Sequence, residues 1–495
     1  VPIALPDLSD DENRILRHLF QVLELKQIRN LIRDSYYDGR RAIDQVGTII
    51  PPQYYKLAIV LGWSAKAVDT LADRCNLDAF VWPDGDLESL GYREVYDDNC
   101  LGTEINSAIT LSLRHGPSFL INTRGDADKG EPVGAIHVKD AGNATGVWDA
   151  RARRLSSLLS ITSRQQLGIT DNVDPASGFG NVTGFVLYLP DVTITAETDG
   201  MGGWEVERAP APWGVPAEPM VYRYTTQRPF GSSRISRAVM SLHDQALRTV
   251  IRMEGHADTY SFPEMWLLGA DESIFKNADG SQKAVWQIML GRIKGVPDNE
   301  DAASDALARA DVKQFSASSP QPHIDQLKQQ AQLFSGETSI PLTSLGVSDM
   351  SNPTSSDSYV ASREDLIARA EAATDDWGRP LRRAMARALA MKNDLAEIPK
   401  KWASIAPKWR SPIYLSRAQQ ADAGLKQLTA VPWLADTEIG LELLGLDEQQ
   451  IARAMSEKRR AQGMQTLQAL QAAALKNAQR ANDLTNANPA DQQQQ

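Results

Sequence analysis

The six histidines, His18, His115, His137, His243, His256 and His323, are the side chains here best suited to hold a metal or move a proton near neutrality. Their spacing argues against both roles. None stands in an HExxH or comparable ligand pattern, and none lies near a cysteine. His243-Asp244 and Glu254-x-His256 come nearest to ligand pairs, but both read better as solvated helix residues. The adjacent acids Asp97-Asp98, Glu300-Asp301 and Asp375-Asp376 diverge on a helix or loop, whereas an acid–base pair must converge. No GxxxxGK[ST] motif occurs, which argues against ATP hydrolysis. The GMGG at 200–203 sits between β-like runs and reads as a hairpin turn rather than a phosphate cradle. The expectation is no catalytic residue, no metal and no cofactor.

Two other sets of residues suit polar recognition. The loop GVSDMSNPTSSDS, from Gly346, supplies Ser348, Asp349, Met350, Ser351, Asn352, Thr354, Ser355 and Ser356, almost without aliphatics. On composition alone it is a surface connector. Arg234, Arg237, Arg248 and Arg252 occupy the polar faces of a helix, with Asp244 four residues before Arg248, a favourable helical pair. They could face DNA or a neighbouring subunit's acids, and intersubunit contact is the better reading.

Long helices position both sets. After the loop, Leu366, Ala370, Ala373, Trp377, Leu381, Met385 and Ala388 recur every three or four residues, one stripe of an α-helix. Asn352-Pro353 and Thr354-x-x-Asp357 mark its start. The arginines lie on a helix over 232–258 with Ile235, Val239, Leu242, Ala246, Val250, Met253 and Ala257 in register. A shorter helix at about 322–335 carries Ile324, Leu327, Ala331 and Phe334, with Gly336 as its end. Two helices bracketing a mixed insert predict a hairpin-like stalk with a module at its tip.

Upstream, Ser9-x-x-Glu12 predicts a capping box opening a helix to about Tyr37, with further helices at roughly 53–75 and 92–113. From about 118 to 225 the period shortens to β-like runs, SFLINT, GAIHVKDA, GFVLYL, DVTIT and WEVERA, as in an antiparallel sheet. APAPWGVPAEP reads as a stiff connector outside any regular element. Past residue 400 come Trp402, Trp409 and Trp433, then helices at 437–444 and from 447 to about 480. Met464, Leu467, Leu470, Ala474 and Ala478 form a stripe on the last. The polar end, from about Asn482, is expected to be disordered.

At 495 residues, with 42% hydrophobic and 23% charged residues, the chain can fill several cores. A net charge of -11 argues against a protein that coats nucleic acid. It does not argue against DNA passing through a pore, where tight phosphate binding would stall it. Cys75 and Cys100 give no disulfide framework and read as buried reduced thiols, suited to assembly in a reducing cytoplasm. No signal peptide and no membrane span are expected, hence a soluble protein.

The ordered set of YYDGRRAIDQVGTIIPPQYYKLAIVLGWSAKAVDTLADRCNLDAF, QRPFGSSRISRAVMSLHDQALRTVIRMEGHADTYSFPEMWLLG, the loop with its helix, and WLADTEIGLELLGLDEQQI resembles bacteriophage portal proteins of the actinophage type. These are the head-to-tail connectors of tailed double-stranded DNA phages. The resemblance implies an α+β multidomain subunit that assembles into a ring of about twelve copies. It places the N-terminal wing at 1–230, stem helices at 231–258 and 322–340, a clip at 259–321 and a tunnel loop at 341–357. A long wing helix and connector (358–434), a crown (435–481) and a tail (482–495) complete it. It turns the polar loop into a channel lining. It implies a virion protein at one capsid vertex through which dsDNA is packaged, retained and ejected, and to which the tail attaches. Its partners would be the large terminase, capsid or scaffolding protein and a head-completion adaptor, with no membrane. The alternatives are a minor capsid or head-tail adaptor protein and, from another class, a metal-dependent nuclease or other hydrolase.

Overall fold

A computed structural model describes residues 5–40, 59–164, 182–198, 203–261, 265–268, 281, 311–314, 318–346, 363–414 and 417–486. Outside them lie the expected channel-loop residues Ser348–Ser356, the Thr354–Asp357 box, Glu300-Asp301, most of the expected clip segment, residues 200–202 of the GMGG turn, and 487–495. The chain divides into two compact units, Val1–Pro412 and Ile413–Gln495.

The capping box at Ser9 forms: Glu12 N donates to Ser9 Oγ, and the Glu12 carboxylate accepts from Ser9 N at 2.8 Å. It opens α1 (Asp10–Tyr37), whose Leu16, Leu19, Phe20 and Leu23 are buried, while Leu25 and Ile28 remain exposed. Next come α2 (Trp63–Ala72), β1 (Leu77–Val81), α3 (Tyr92–Asp98) and α4 (Leu101–His115). The sequence predicts one helix over 92–113. The structure breaks it at Cys100, whose φ of 48° is left-handed and ends the first helix. Cys100 is also exposed, against expectation, whereas Cys75 is buried and its thiol pKa is pushed up to about 12 by desolvation.

Two antiparallel sheets follow. The first has the order β3-β2-β9, from β2 (Pro117–Arg124), β3 (Gly134–Lys139) and β9 (Ala217–Val221). The second runs β4-β5-β6-β7-β8, from β4 (Ala144–Asp149), β5 (Arg154–Arg164), β6 (Val182–Tyr188), β7 (Val192–Thr198) and β8 (Trp204–Pro210). Strand alternation sorts their side chains into three cores. Phe119 and Ile121 of β2 pack with Leu158, Val186 and Tyr188 between the sheets. Leu120, Ile136 and Met220 face the opposite way, into the main helical core. On the far side of the second sheet Leu159, Phe185, Leu187 and Ile194 meet α1, with Phe20 and Phe185 edge to face at 5.6 Å. The predicted connector APAPWGVPAEP is in part strand: its Ala217–Pro219 opens β9, which pairs with β2 on the edge of the first sheet, where Pro219 is tolerated.

Then come α5 (Arg237–Ser261), β10 (Met265–Leu268), β11 (Asp311–Gln314), α6 (Gln321–Thr338) and α7 (Glu364–Lys392). Every residue of the predicted α7 stripe is buried, from Leu366 to Ala388. The helix lies so close to the first sheet that a side-chain carbon at Gly134 would collide with the Ala388 carbonyl. β12 (Ala406–Trp409) pairs with β1, returning the chain to its N-terminal region.

In the second unit, α8 (Arg417–Ala430) and α9 (Glu438–Leu443) approach at Gly424, where a side chain would strike the Leu443 carbonyl. Thr437 caps α9 by accepting from Gly440 N. α10 (Glu448–Asn486) continues past the expected boundary at 482.

Candidate functional site

The residue before α5 decides how the α5–α6 pair is rooted. Ser236 Oγ accepts from Val239 N at 3.2 Å, an N-cap bond, and Arg234 N donates to the Leu113 carbonyl at 2.8 Å. The Arg234 side chain is only 6% exposed. Its Nε donates to the Ala67 carbonyl of α2, Nη1 to Tyr222 Oη at 3.2 Å, and Nη2 to the Thr338 carbonyl at 2.6 Å. Burial lowers its pKa from the ordinary arginine value, with Tyr222 opposing. One guanidinium thus ties α2, the bend after β9 and the end of α6 together. The sequence puts Arg234 on an outward, intersubunit face; the structure makes it an internal bolt, because its fork finds acceptors from three elements.

Asp244 is a second correction. Instead of the helical partner Arg248, its Oδ2 accepts from Tyr36 Oη of α1 at 2.7 Å. His243 beside it is 2% exposed, not solvated. Its Nδ1 lies 3.0 Å from Ser64 Oγ and its ring meets Tyr36 edge to face at 5.4 Å. Burial lowers its pKa, with Asp244 raising it. The buried face of α5 therefore runs through Val239, His243, Ala246, Leu247 and Ile251, with Leu242 partly buried against the main core and Ala257 exposed. Arg237 and Arg252 are exposed, and Arg248 is partly so.

Farther along the pair, His256 packs against His323 of α6 at 5.4 Å between ring centres. The insert between the helices is bridged by an antiparallel ribbon, Met265 opposite Gln314 and Leu268 opposite Asp311. α6 does not end at Gly336; it runs on to Thr338 and stops at Ser339, whose φ is 58°.

The residues on either side of the segment 347–362 enter one core. Before it, Ile340 is fully buried and Leu342 and Leu345 of a 3-10 turn pack on that core; after it, Leu366 and Ala370 enter the same cluster. Arg369 Nε donates to Ser339 Oγ at 2.8 Å, and Ser335 Oγ donates to the Ile340 carbonyl at 2.6 Å. The two flanks are thereby joined directly.

One ion network has no counterpart in the sequence reading. Glu218 of β9 is 3% exposed; its Oε1 lies 2.5 Å from Arg387 Nη2 and its Oε2 lies 3.3 Å from Arg383 Nη1. The signal was two arginines four apart on α7 and a lone acid in an apolar edge strand. Among the described residues no cluster of histidines, cysteines and acids could hold a metal. Asp97 and Asp98 are exposed on α3. Asp375 and Asp376 share a cavity wall with Arg153, Arg379 and Arg383, and burial raises the Asp376 pKa.

Residues 18–464 match the family described as "Phage portal protein, SPP1 Gp6-like". The portal protein of Mycobacterium phage L5 is 24% identical over 411 residues, covering 79% of this chain and 77% of its own. That of Mycobacterium phage D29 is 24% identical over 403 residues, with the same coverages. Among solved structures, the neck of a native GTA particle computed with C12 symmetry is similar at 15% identity and a TM-score of 0.40. It covers 78% of this chain and 89% of its own. The neck of an empty GTA particle computed with C6 symmetry gives 15% and 0.42, over 78% and 90%.

An α+β subunit matched over this length is a portal subunit in class. The chain belongs to the SPP1 Gp6-like family of phage portal proteins. It is a structural component of the virion's portal vertex and not an enzyme. No helix among the described residues is long and apolar enough to cross a membrane.

Proposed function

We propose that about twelve copies close into a ring at one capsid vertex, with α5 and α6 as the stem and the ribbon β10–β11 at the root of the clip (259–321). The clip docks the large terminase during packaging and the head-completion adaptor afterwards. The sheets and α7 form the wing, which meets capsid or scaffolding protein. The segment from 435 forms the crown. Ser348 to Ser356 line the narrowest part of the channel, and Arg237, Arg248 and Arg252 face neighbouring subunits.

The observation that carries this reading is the double anchoring of 347–362. Both flanks of this polar segment are fixed to one core, beside a helix pair bolted by Arg234. That arrangement suits repeated, weak contact with passing DNA better than an ordinary connector does. The test is mass photometry with negative-stain imaging of the purified chain. A closed ring with a central hole supports it; a persistent monomer or small open oligomer at micromolar concentration would sink it.

A further inference from the structure

A cavity of about 350 Å³ opens between α7, the start of β5 and residues 398–403. Arg154, Arg382, Arg383, Arg387 and Lys400 line it, and no carboxylate does among the described residues. The whole chain carries a net charge of -11, so this concentration of cations is not a general bias of composition. Glu218 holds Arg387 and Arg383. Five cations are thus gathered where, among the described residues, Glu218 is ion-paired to two of them and Asp149, outside the lining, faces Arg154.

Hydrogen bonding makes the imbalance specific. Arg387 Nη1 and Trp402 Nε1 are buried N–H donors with no hydrogen-bond partner among the described residues. Trp402 is 2% exposed and lines the cavity. The neighbouring indole of Trp213 is satisfied, donating to the Ala396 carbonyl at 2.8 Å. Arg382 also has an acceptor, the Ala403 carbonyl at 3.1 Å. The deficit therefore falls on two residues that line one basic cavity, and buried donors are rarely left without an acceptor.

We infer that this cavity is an oxyanion site for a phosphate-type group, either inorganic phosphate or the phosphate of a nucleotide. Guanidinium forks match the oxygens of phosphate in geometry as well as charge. A tetrahedral dianion offers enough acceptors for an arginine, an indole N–H and a lysine together. A metal cation would be repelled by the same five side chains. Bound there, the anion would link α7 to the 398–403 connector and to β5, so occupancy should stabilise the fold through linkage.

The test uses the full chain with inorganic phosphate and, separately, a deoxynucleoside monophosphate as titrants in calorimetry. Arg154 and Lys400 are exposed, so Arg154→Ala/Lys400→Ala should leave the thermal midpoint in chloride unchanged. Saturable binding is expected in the native chain, at least about tenfold weaker in the double variant, as for loss of charge-assisted contacts. Phosphate should raise the thermal midpoint above that in chloride of equal ionic strength, and the variant should lose that rise. Tighter binding of the nucleotide would name it as the source; equal or weaker binding would name free phosphate. Absence of saturable binding of either titrant, or equal affinity and equal stabilisation in the variant, would overturn the site.

Discussion

Arg234 and Thr338 stand 104 residues apart and are joined by a 2.6 Å hydrogen bond from the guanidinium to the carbonyl that ends α6. The same side chain serves Ala67 and Tyr222, so its removal strands the Tyr222 hydroxyl and the Thr338 carbonyl and takes a second donor from Ala67. Each stranded buried group costs about 1–3 kcal/mol.

Arg234→Met should therefore destabilise the subunit by about 3 kcal/mol or more, although it preserves the length of the stem and removes a charge. Urea unfolding followed by far-UV circular dichroism measures this. A change within about half a kcal/mol would mean that the fork is not the bolt its bonds describe.

His243 predicts a pH dependence of definite sign. Burial lowers its folded-state pKa, against the opposing pull of Asp244. The unfolded chain then binds the proton first, so stability is full above the unfolded pKa, about 6.5, and declines as pH falls toward the folded value. His137 is lowered in the same direction, chiefly by burial, and contributes in the same window. His243→Gln should flatten the fall in the urea midpoint between about pH 7.5 and 5.5. An unchanged slope would remove His243 as its source.

Glu218 is buried against Arg383 and Arg387, so Glu218→Gln leaves two guanidinium groups without their carboxylate. A loss of about 3–5 kcal/mol is expected, as for breaking a buried pair from one side. Adding Arg387→Met should recover part of it, because the stranded charge is then gone as well. Strictly additive losses in the double-mutant cycle would show that the two residues do not interact.

The stripe of α7 was legible because each of its apolar residues meets the same core, and local periodicity is enough to say so. The capping box at Ser9 was legible for a similar reason: its partners are three residues apart. Arg234 was not, since its acceptors lie at residues 67, 222 and 338 and nothing in a helical repeat points to them. His243 stood in a polar pair and looked solvated until Ser64 and Tyr36 closed over it. β9 was hidden by the prolines around Glu218, which an edge strand accepts and a central one does not. The family itself was legible from the order of four segments, which no single motif would have established.

The proposed channel lining gives a prediction separate from stability. Asp349→Lys with Asn352→Lys changes residues of a polar segment, where exposed substitutions usually cost about half a kcal/mol or less. Ring assembly should survive. The added positive charges around the duplex should strengthen phosphate contacts and their salt dependence. Packaging should slow, more so at low salt, and packaged DNA length per head at equal portal content is the measurement. Equal lengths and rates at low ionic strength would show that the segment does not touch DNA.

The last helix tests how a ring of such subunits holds together. On α10, Met464, Leu467, Leu470 and Leu475 are each more than 60% exposed, so the subunit alone leaves this apolar stripe in water. Burying a Leu or Met side chain contributes about 1.5–3 kcal/mol, and a ring repeats the gain at every interface. Within the subunit those side chains contribute little, because they touch water already. Leu467→Glu with Leu470→Glu should therefore leave the monomer's thermal midpoint nearly unchanged while shifting sedimentation toward smaller species at dilute concentration. Truncation after Asn486, which spares the stripe, should leave ring size as it was. If the double variant sediments as the native chain does at every dilution, the stripe is not an assembly surface, and the subunits must be held by contacts made elsewhere.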